Sequence, residues 1–393
     1  MAAAEAPSSS PRPERDIASW RARMSERLAA LGPDQEPVVL VACGSFNPPT
    51  RAHLRLFPAG AAAVDGATSA TAGVGGGGGG SGDDETSRPR RWAVVGGLMS
   101  PVGDGYAKAG LAPAAHRLVM CALAAAAAAG QQASRGAPDA ARAAARERVR
   151  SARAPVDVGV HGWEAGRPGF TRTLDVLRQI SREINGSMDG DDDRQAGGEQ
   201  GDGDGSSGAA AGAAGARGAG RRGRPPQQQR RRPVRVMLLG GTDLVESMRR
   251  PGVWSEPDAL LREHGVVCVE RPAAQKQQRQ QQREEQRAPT AGDSDAPPAR
   301  PPPPPALEEA LRSCVVHAVC DTEAMLGVSS SRAREALRDA IAAAALNGGG
   351  GAECGGDGDD RAMARAIGAD PRVAELLDAC VAGHSVRHRL YCS

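Results

Sequence analysis

The stretch that decides the fold is Val38–Phe57, which reads VVLVACGSFNPPTRAHLRLF. Its first four residues form a β-branched-rich apolar run, which is typical of a strand covered on both faces, as in parallel sheets. Gly44, Pro48 and Pro49 then interrupt regular structure. Thr50 is a good N-cap residue, and the apolar spacing after it fits a helix. The stretch therefore predicts a buried strand, a tight loop and the start of a helix.

This arrangement predicts a phosphate site. A helix start offers backbone N–H groups without helical partners and a partial positive charge. Gly44 lets a phosphate approach the backbone closely. His53 falls on the third helical residue, and helical side chains lean toward the N-terminus, so its imidazole should reach the anion. A surface or capping role is the alternative for a lone histidine, but the whole arrangement favours phosphate binding.

Strands and helices alternate along the rest of the chain. Further strands are predicted at 92–95, 156–160, 234–239, 266–269 and 315–319, and helices at 114–129, 170–184, 329–346 and 373–382. This alternation predicts a parallel α/β sheet. We expect Pro58 to end the first helix early.

Composition predicts one domain interrupted by low-complexity tracts. Of 393 residues, 51 are Gly and 29 are Pro, and aromatic residues make up 2%. Without these tracts, roughly 200 residues remain, enough for one sizeable core. We expect a disordered or helical N-terminal tail over 1–36 and a domain over 37–393. Disordered insertions are expected at about 58–90, 131–154, 186–232, 272–305 and 347–360.

Charge and cysteine content restrict the partners. The net charge of +2 gives no broad electrostatic reason for nucleic acid or membrane binding. The Arg-rich tract at 221–235 could be a nuclear signal or a nucleic-acid patch, but a chain this rich in arginine also forms such runs through its composition. No run of eighteen apolar residues exists. Eight cysteines without a C-x-x-C pair argue against a zinc site and against a disulfide framework. A reducing cytoplasmic or nuclear location is expected. Plastid or mitochondrial targeting and homo-oligomerisation stay open.

A second anion site is predicted at Ser329–Arg334, which has the form S-x-S-x-x-R at a helix start. Two hydroxyls and the helix-terminal N–H groups can hold phosphate oxygens, and an arginine one turn on can pair with them. A plain serine cap beside a solvated arginine is the alternative.

Other candidates lie in predicted loops. Lys108, one of two lysines, offers a point charge for phosphate; a solvated loop lysine is the alternative. Trp163 and Phe170 could stack on the ring of a ligand, or they could be core residues. Asp243 follows a strand and could bind ribose hydroxyls or cap a helix.

Several of these blocks resemble those of a known family. GSFNPPTRAHLRLF is similar to the signature of the eukaryotic-type nicotinamide mononucleotide adenylyltransferases, in the nucleotidyltransferase superfamily. SSSRAR resembles the family's S-x-T-x-x-R motif, with Ser331 in the threonine place. LLGGTDLVESM resembles LLCGADxxESF, and the family usually has tryptophan where Phe170 stands.

The resemblance implies a Rossmann-like parallel sheet with helices on both faces. It also implies an enzyme that makes NAD from ATP and nicotinamide mononucleotide, releases pyrophosphate, and takes nicotinate mononucleotide as a second substrate. Mg²⁺ would be bound through the ATP phosphates. The implied catalytic residues are His53, Lys108 and Arg334.

The binding residues implied by the resemblance form two groups. Those for ATP and its phosphates are Gly44, Ser45, Phe46, His53, Gly241, Asp243, Ser329, Ser331 and Arg334. Those for the mononucleotide are Ser45, Phe46, Lys108, Trp163, Glu164, Phe170, Thr173, Trp254 and Arg271.

Two alternatives stay open. One is another nucleotidyltransferase, such as a cytidylyltransferase or a pantetheine-phosphate adenylyltransferase, against which the candidate aromatic residues argue. The other is a degenerate nucleotide-binding scaffold or chaperone, which Pro58, Leu326 and a shortened first helix would favour.

Overall fold

The structure is a computed structural model that describes residues 13–65, 67, 90–135, 156–193, 232–270, 304–319, 327–347 and 357–392. Six strands form one parallel sheet in the order β3-β2-β1-β4-β5-β6. They are β1 (Gln35–Gly44), β2 (Arg91–Pro101), β3 (Val158–Val160), β4 (Arg235–Gly241), β5 (Val266–Glu270) and β6 (Val315–Val319). All six predicted strands are confirmed.

Helices follow most strands. They are α1 (Pro13–Ala29), α2 (Arg51–Val64), α3 (Ala114–Arg135), α4 (Thr173–Asp193), α5 (Thr242–Met248), α6 (Pro257–Glu263), α7 (Pro305–Cys314), α8 (Ser330–Asn347), α9 (Asp357–Ala369), α10 (Pro371–Leu376) and α11 (Ala379–Arg387). No helix in the described parts of the chain has the length and hydrophobicity that a membrane crossing requires.

Helices cover both faces of the sheet. Along β1, Val38 and Leu40 pack in one core with α2, α3 and α8 to α11. Val39 and Val41 pack in a second core with α1 and α4 to α7. Because successive strand residues point to opposite faces, an uninterrupted apolar run fits a doubly covered strand. The predicted fold class, a Rossmann-like α/β sheet with helices on both faces, is confirmed.

The prediction that Pro58 ends the first helix was wrong, because α2 continues through it to Val64. Proline removes one helical hydrogen bond, a loss of about 3 kcal/mol in a helix interior. Pro58 faces solvent, whereas Phe57 is fully buried and Gly60 approaches Leu239 so closely that a Cβ would lie 2.7 Å from its Cδ1. Burial of this face outweighs the lost hydrogen bond, since one buried Phe contributes up to about 3 kcal/mol.

The predicted N-terminal tail at 1–36 contains a helix, α1, and the start of β1. α1 packs on the sheet, and β1 already begins at Gln35. Trp20 is fully buried, and its Nε1 donates to the backbone carbonyl of Asp157 at 3.1 Å. Its ring lies over two glycines, Gly96 and Gly159, where an added Cβ would come within 2.9 Å and 2.7 Å of it.

Helices also extend into several predicted insertions. α3 reaches Arg135, α4 reaches Asp193, and α9 begins at Asp357. The predicted last helix, 373–382, is split into α10 and α11 by an extended residue, Leu377. The remaining parts of the insertions, as well as Leu326, lie outside the described residues.

Candidate active site

A cleft of about 150 Å³ lies at the carboxyl ends of the central strands. It is lined by Thr50, Ala52, His53, Leu56, Gly241, Val269, Glu270, Val328, Ser329 and Ser330. The chain runs from β1 outward through β2 and β3, and then returns to place β4 on the other side of β1. Open α/β sheets bind ligands at such a reversal of strand order. The starts of α2 and α8 therefore meet at the same cleft.

The neighbours of His53 determine the tautomer of its neutral ring. Its Nδ1 lies 2.9 Å from the backbone nitrogen of Thr50 and 2.8 Å from Thr50 Oγ1. Since a backbone N–H can only donate, Nδ1 accepts, and in the neutral ring the proton lies on Nε2. The ring of Phe46 packs edge-on against the imidazole, with 5.2 Å between centroids. His53 is thereby oriented as a hydrogen-bond donor in the cleft wall.

The serine-arginine motif is near the same loop, but its serines differ in role. Ser330 Oγ donates to the carbonyl of Pro48 at 2.8 Å, and Ser329 Oγ accepts from the N–H of Arg332 at 3.3 Å. Ser331 is exposed, and its Oγ accepts from Arg334 Nη2 at 3.2 Å. Ser329 and Ser330 line the cleft, whereas Ser331 holds the guanidinium beside it.

Asn47 connects the cleft to two other parts of the chain, and sequence reasoning missed it. Its amide is buried: Nδ2 donates to Gly110 O at 2.8 Å, and Oδ1 accepts from Ala112 N at 3.0 Å and from Tyr391 Oη at 2.7 Å. Its backbone carbonyl accepts from Arg334 Nη1 at 2.7 Å. Its position between Phe46 and Pro48, inside the stretch Val38–Phe57, is the sequence signal that could have identified it.

Arg117 was also missed. This fully buried side chain donates to the carbonyls of Ala112 and Val102, both at 2.7 Å, and of Ser45 at 3.2 Å. It also pairs with Asp104 at 3.0 Å. It thus joins the loop after β1 to the loop after β2. A charged residue on the apolar face of α3 was the signal that could have identified it.

Lys108 lies exposed in the loop after β2. Asn47 anchors this loop through Gly110 and Ala112, so the lysine is carried by a loop that is tied to the cleft. Gly44 ends β1, and its carbonyl accepts from the N–H of Val102 at 3.0 Å.

The predicted mononucleotide residues cluster around the loop after β3. Glu164 is buried and accepts from Ser100 Oγ at 2.9 Å. Burial raises the pKa of Glu164 to about 7, although the Ser100 hydrogen bond and the charge of Arg117 act in the opposite direction. Arg167 lies over the ring of Trp163 at 5.2 Å.

Phe170 is 67% exposed and stacks on Tyr106, with 6.1 Å between ring centroids and 23° between ring planes. The backbone around Gly105 packs so closely on Gly169 that a Cβ at Gly105 would lie 2.7 Å from it. The two loops therefore present an exposed pair of aromatic rings. Thr173 is the first residue of α4.

Trp254 and Asp243 lie beyond β4. Trp254 is half-buried, and its Nε1 donates to Ser247 Oγ at 2.9 Å. Asp243 lies exposed in the first turn of α5, which begins directly after Gly241. An ion pair between Arg172 and Glu256, at 3.9 Å, joins the Phe170 loop to the Trp254 loop. Arg271 lies outside the described residues.

Sequence comparisons agree with this picture. The nicotinamide/nicotinic acid mononucleotide adenylyltransferase 1 of Saccharomyces cerevisiae is 31% identical over 251 residues, which are 63% of this chain and 42% of that protein. The enzyme of the same name from Oryza sativa subsp. japonica is 32% identical over 236 residues, 59% of each chain. Bos taurus nicotinamide/nicotinic acid mononucleotide adenylyltransferase 1 is 26% identical over 240 residues, 61% of this chain and 66% of that protein.

The chain thus spans less than half the length of the yeast relative and under two thirds of the rice relative. No protein-family model matches it. A solved structure of Plasmodium falciparum nicotinic acid mononucleotide adenylyltransferase complexed with NaAD aligns over 91% of this chain and 97% of that one. Its TM-score is 0.39 at 11% identity, too low to establish a common fold. In sequence, the chain is therefore similar to nicotinamide/nicotinic acid mononucleotide adenylyltransferases of a yeast, a plant and a mammal.

Proposed function

We propose that the protein is a nucleotidyltransferase that makes NAD from ATP and nicotinamide mononucleotide, and the corresponding dinucleotide from nicotinate mononucleotide. One observation carries the proposal: two helix starts, with His53 and Ser330, share one cleft where the strand order reverses. The names of the sequence relatives supply the substrates.

The reaction needs no covalent enzyme intermediate. A phosphate oxygen of the mononucleotide attacks the α-phosphorus of ATP, and the bond from that phosphorus to the bridging oxygen of the β-phosphate breaks. The electron pair leaves with pyrophosphate. Because two anions must approach each other, catalysis consists mainly of positioning and charge neutralisation.

Each phosphate group has a proposed partner. His53 Nε2–H and the Gly44–Ser45 backbone hold the ATP phosphates and stabilise the transferring group. Ser329, Ser331 and Arg334 hold the departing pyrophosphate, since a guanidinium that bonds Asn47 and Ser331 has further N–H donors. Lys108 holds the attacking phosphate. Gly241 and Asp243 also bind ATP.

The remaining residues bind the mononucleotide. We infer that the pyridine ring binds among Trp163, Phe170 and Trp254. The Arg172–Glu256 ion pair supports this inference because it brings their loops together. Phe170 is exposed and can reorient onto a ligand without loss of core packing. Phe46, Glu164, Thr173 and Arg271 complete the proposed set.

The cleft suits Mg²⁺ carried in with ATP. Its oxygen donors are the hydroxyls of Thr50, Ser329 and Ser330 and the carboxylate of Glu270, which also bonds His317 Nδ1 at 3.0 Å. Mg²⁺ prefers oxygen ligands and keeps several waters, so this set fits an ion held mainly by phosphates. Bound there, Mg²⁺ would neutralise phosphate charge.

A substrate panel tests the proposal. Full-length protein with Mg²⁺ is incubated with ATP or CTP and, in turn, with each mononucleotide and phosphopantetheine, and the products are separated chromatographically. We expect stoichiometric dinucleotide and pyrophosphate only from ATP with a pyridine mononucleotide. Product from CTP or phosphopantetheine would favour another nucleotidyltransferase. Calorimetric binding of both substrates without product would indicate a scaffold, a reading that has lost one support because α2 is not shortened.

A further inference from the structure

Three histidines form a compact cluster outside the cleft. They are His116, in the first turn of α3, and His384 and His388, one turn apart at the end of α11. One nitrogen of each ring lies within 4.8 Å of the other two. His116 Nδ1 and His384 Nε2 are 3.2 Å apart, and ring centroids are separated by 4.3 to 5.3 Å. Among the described residues, no other group of this kind meets the spacing for a metal ion.

The spacing fits two ligands of one ion. Zn–N bonds of about 2.0–2.1 Å at a tetrahedral angle place two nitrogens about 3.3 Å apart. The separation between His116 and His384 is close to this value. The third nitrogen, on the exposed side chain of His388, lies within 4.8 Å of the other two.

We propose that His116, His384 and His388 bind one divalent transition-metal ion of the Zn²⁺ class. Imidazole nitrogens suit such ions and do not suit Mg²⁺ or Ca²⁺, so this site is chemically distinct from the phosphate cleft. His384 is buried and His388 is exposed, so the cluster lies at the boundary between the protein interior and solvent.

The ion would fasten the C-terminal helix to α3. These helices already contact each other through Ser385 Oγ and Met120 Sδ, at 3.4 Å, and through Cys380 Sγ and Leu123 O, at 3.5 Å. Shortly after His388, Tyr391 donates to Asn47 Oδ1. Metal binding at the cluster therefore favours the position of the chain that holds Asn47 in the cleft loop.

Zinc titration of the chelator-treated full-length protein by calorimetry tests the site directly. We expect one Zn²⁺ per chain that binds through the cluster. His388→Gln and His116→Gln should each weaken this binding by more than about a hundredfold, beyond the change typical of residues that only orient a metal ligand through a hydrogen bond. Arg387→Gln, on the same helix and also exposed, should retain it. Equal affinity in wild type and both histidine variants, or no binding in wild type, would overturn the proposal.

Co²⁺ and thermal melting give readouts that do not depend on catalysis. Co²⁺ should produce the intense visible absorption of a tetrahedral site in wild type and lose it in His388→Gln. Zn²⁺ should raise the melting temperature of wild type and of Arg387→Gln, and leave that of His388→Gln unchanged. Because His388 is exposed, the variant is expected to fold, and its metal-free melting temperature provides the check. The same Co²⁺ spectrum in wild type and in His388→Gln would contradict the three-imidazole site, whatever the substrate panel shows.

Discussion

Arg334 Nη1 donates to the backbone carbonyl of Asn47 at 2.7 Å, across 287 residues of sequence. This hydrogen bond fixes the start of α8 against the loop that precedes α2. The same guanidinium donates to Ser331 Oγ at 3.2 Å. The relative position of the two proposed phosphate-binding helix starts therefore depends on this guanidinium, together with the hydrogen bond from Ser330 to Pro48.

Arg334→Lys should lower kcat/KM about tenfold to a hundredfold. Lysine keeps the charge but cannot bond Asn47, Ser331 and a phosphate in one plane, and a hydrogen bond to a charged group contributes about 1.5–3 kcal/mol. Steady-state kinetics of dinucleotide formation measures the change. Arg338→Lys, exposed one turn further along α8, is the matched control and should match wild type. Equal kinetics for both variants would remove Arg334 from the site.

His53→Ala should lower kcat at least about a hundredfold, as expected for loss of one transition-state donor. The substitution also removes the acceptor for the Thr50 N–H, so the free energy of unfolding should fall by about 1 kcal/mol. Urea denaturation confirms that the variant is folded under assay conditions. Near-normal turnover would contradict the proposed role.

Asn47→Ala should lower the free energy of unfolding by at least about 3 kcal/mol, because it leaves buried partners at Gly110 and Ala112 unsatisfied. Tyr391→Phe removes only the hydrogen bond from Tyr391 and should cost about 1 kcal/mol. Chemical denaturation of both variants gives the comparison. Similar losses would show that the amide of Asn47 does not join the loops as described.

Glu164→Gln should remove a pH dependence of stability. The pKa of Glu164 rises from 4.5 to about 7 on folding, mainly because of burial, so its contribution is complete below pH 4.5 and is lost as the pH rises through 7. A shift of this size corresponds to about 3 kcal/mol. Glutamine keeps an acceptor for Ser100. The variant should therefore gain stability over wild type between pH 5 and 8, and parallel stability curves would contradict the assignment.

Pro58→Ala should raise the free energy of unfolding by about 1–2 kcal/mol. Alanine restores an N–H donor for the carbonyl of Leu54, which offsets the greater freedom of the unfolded chain. Pro58 is exposed in the middle of α2, so the new side chain meets no neighbour that must move. Thermal and urea unfolding measure the gain; a loss of stability would show that the helix does not need this hydrogen bond.

Local sequence patterns were sufficient to predict the strands and the starts of α2 and α8. Runs such as Val38–Val41 and Val266–Val269 are apolar over their whole length and rich in β-branched residues, and the residues around Thr50 and Ser329 are local capping signals. Contacts between distant residues were not predictable in this way. Pro58 stays helical because of the sheet beneath it, and Asn47 depends on Tyr391, 344 residues away. Such partners become visible only when the fold has brought them together.

The packing of Trp20 over Gly96 and Gly159 couples the side-chain sizes that can be accommodated at three positions distant in sequence. A larger side chain at either glycine would expel the indole, and a smaller residue at position 20 would leave a void over two bare stretches of backbone. In divergent relatives we expect the total side-chain volume at these three positions to stay similar, so that a larger residue at one position is accompanied by a smaller residue at another. A truncated protein that starts at the first strand would lose the Trp20 side chain and expose the sheet surface beneath it, which would favour aggregation.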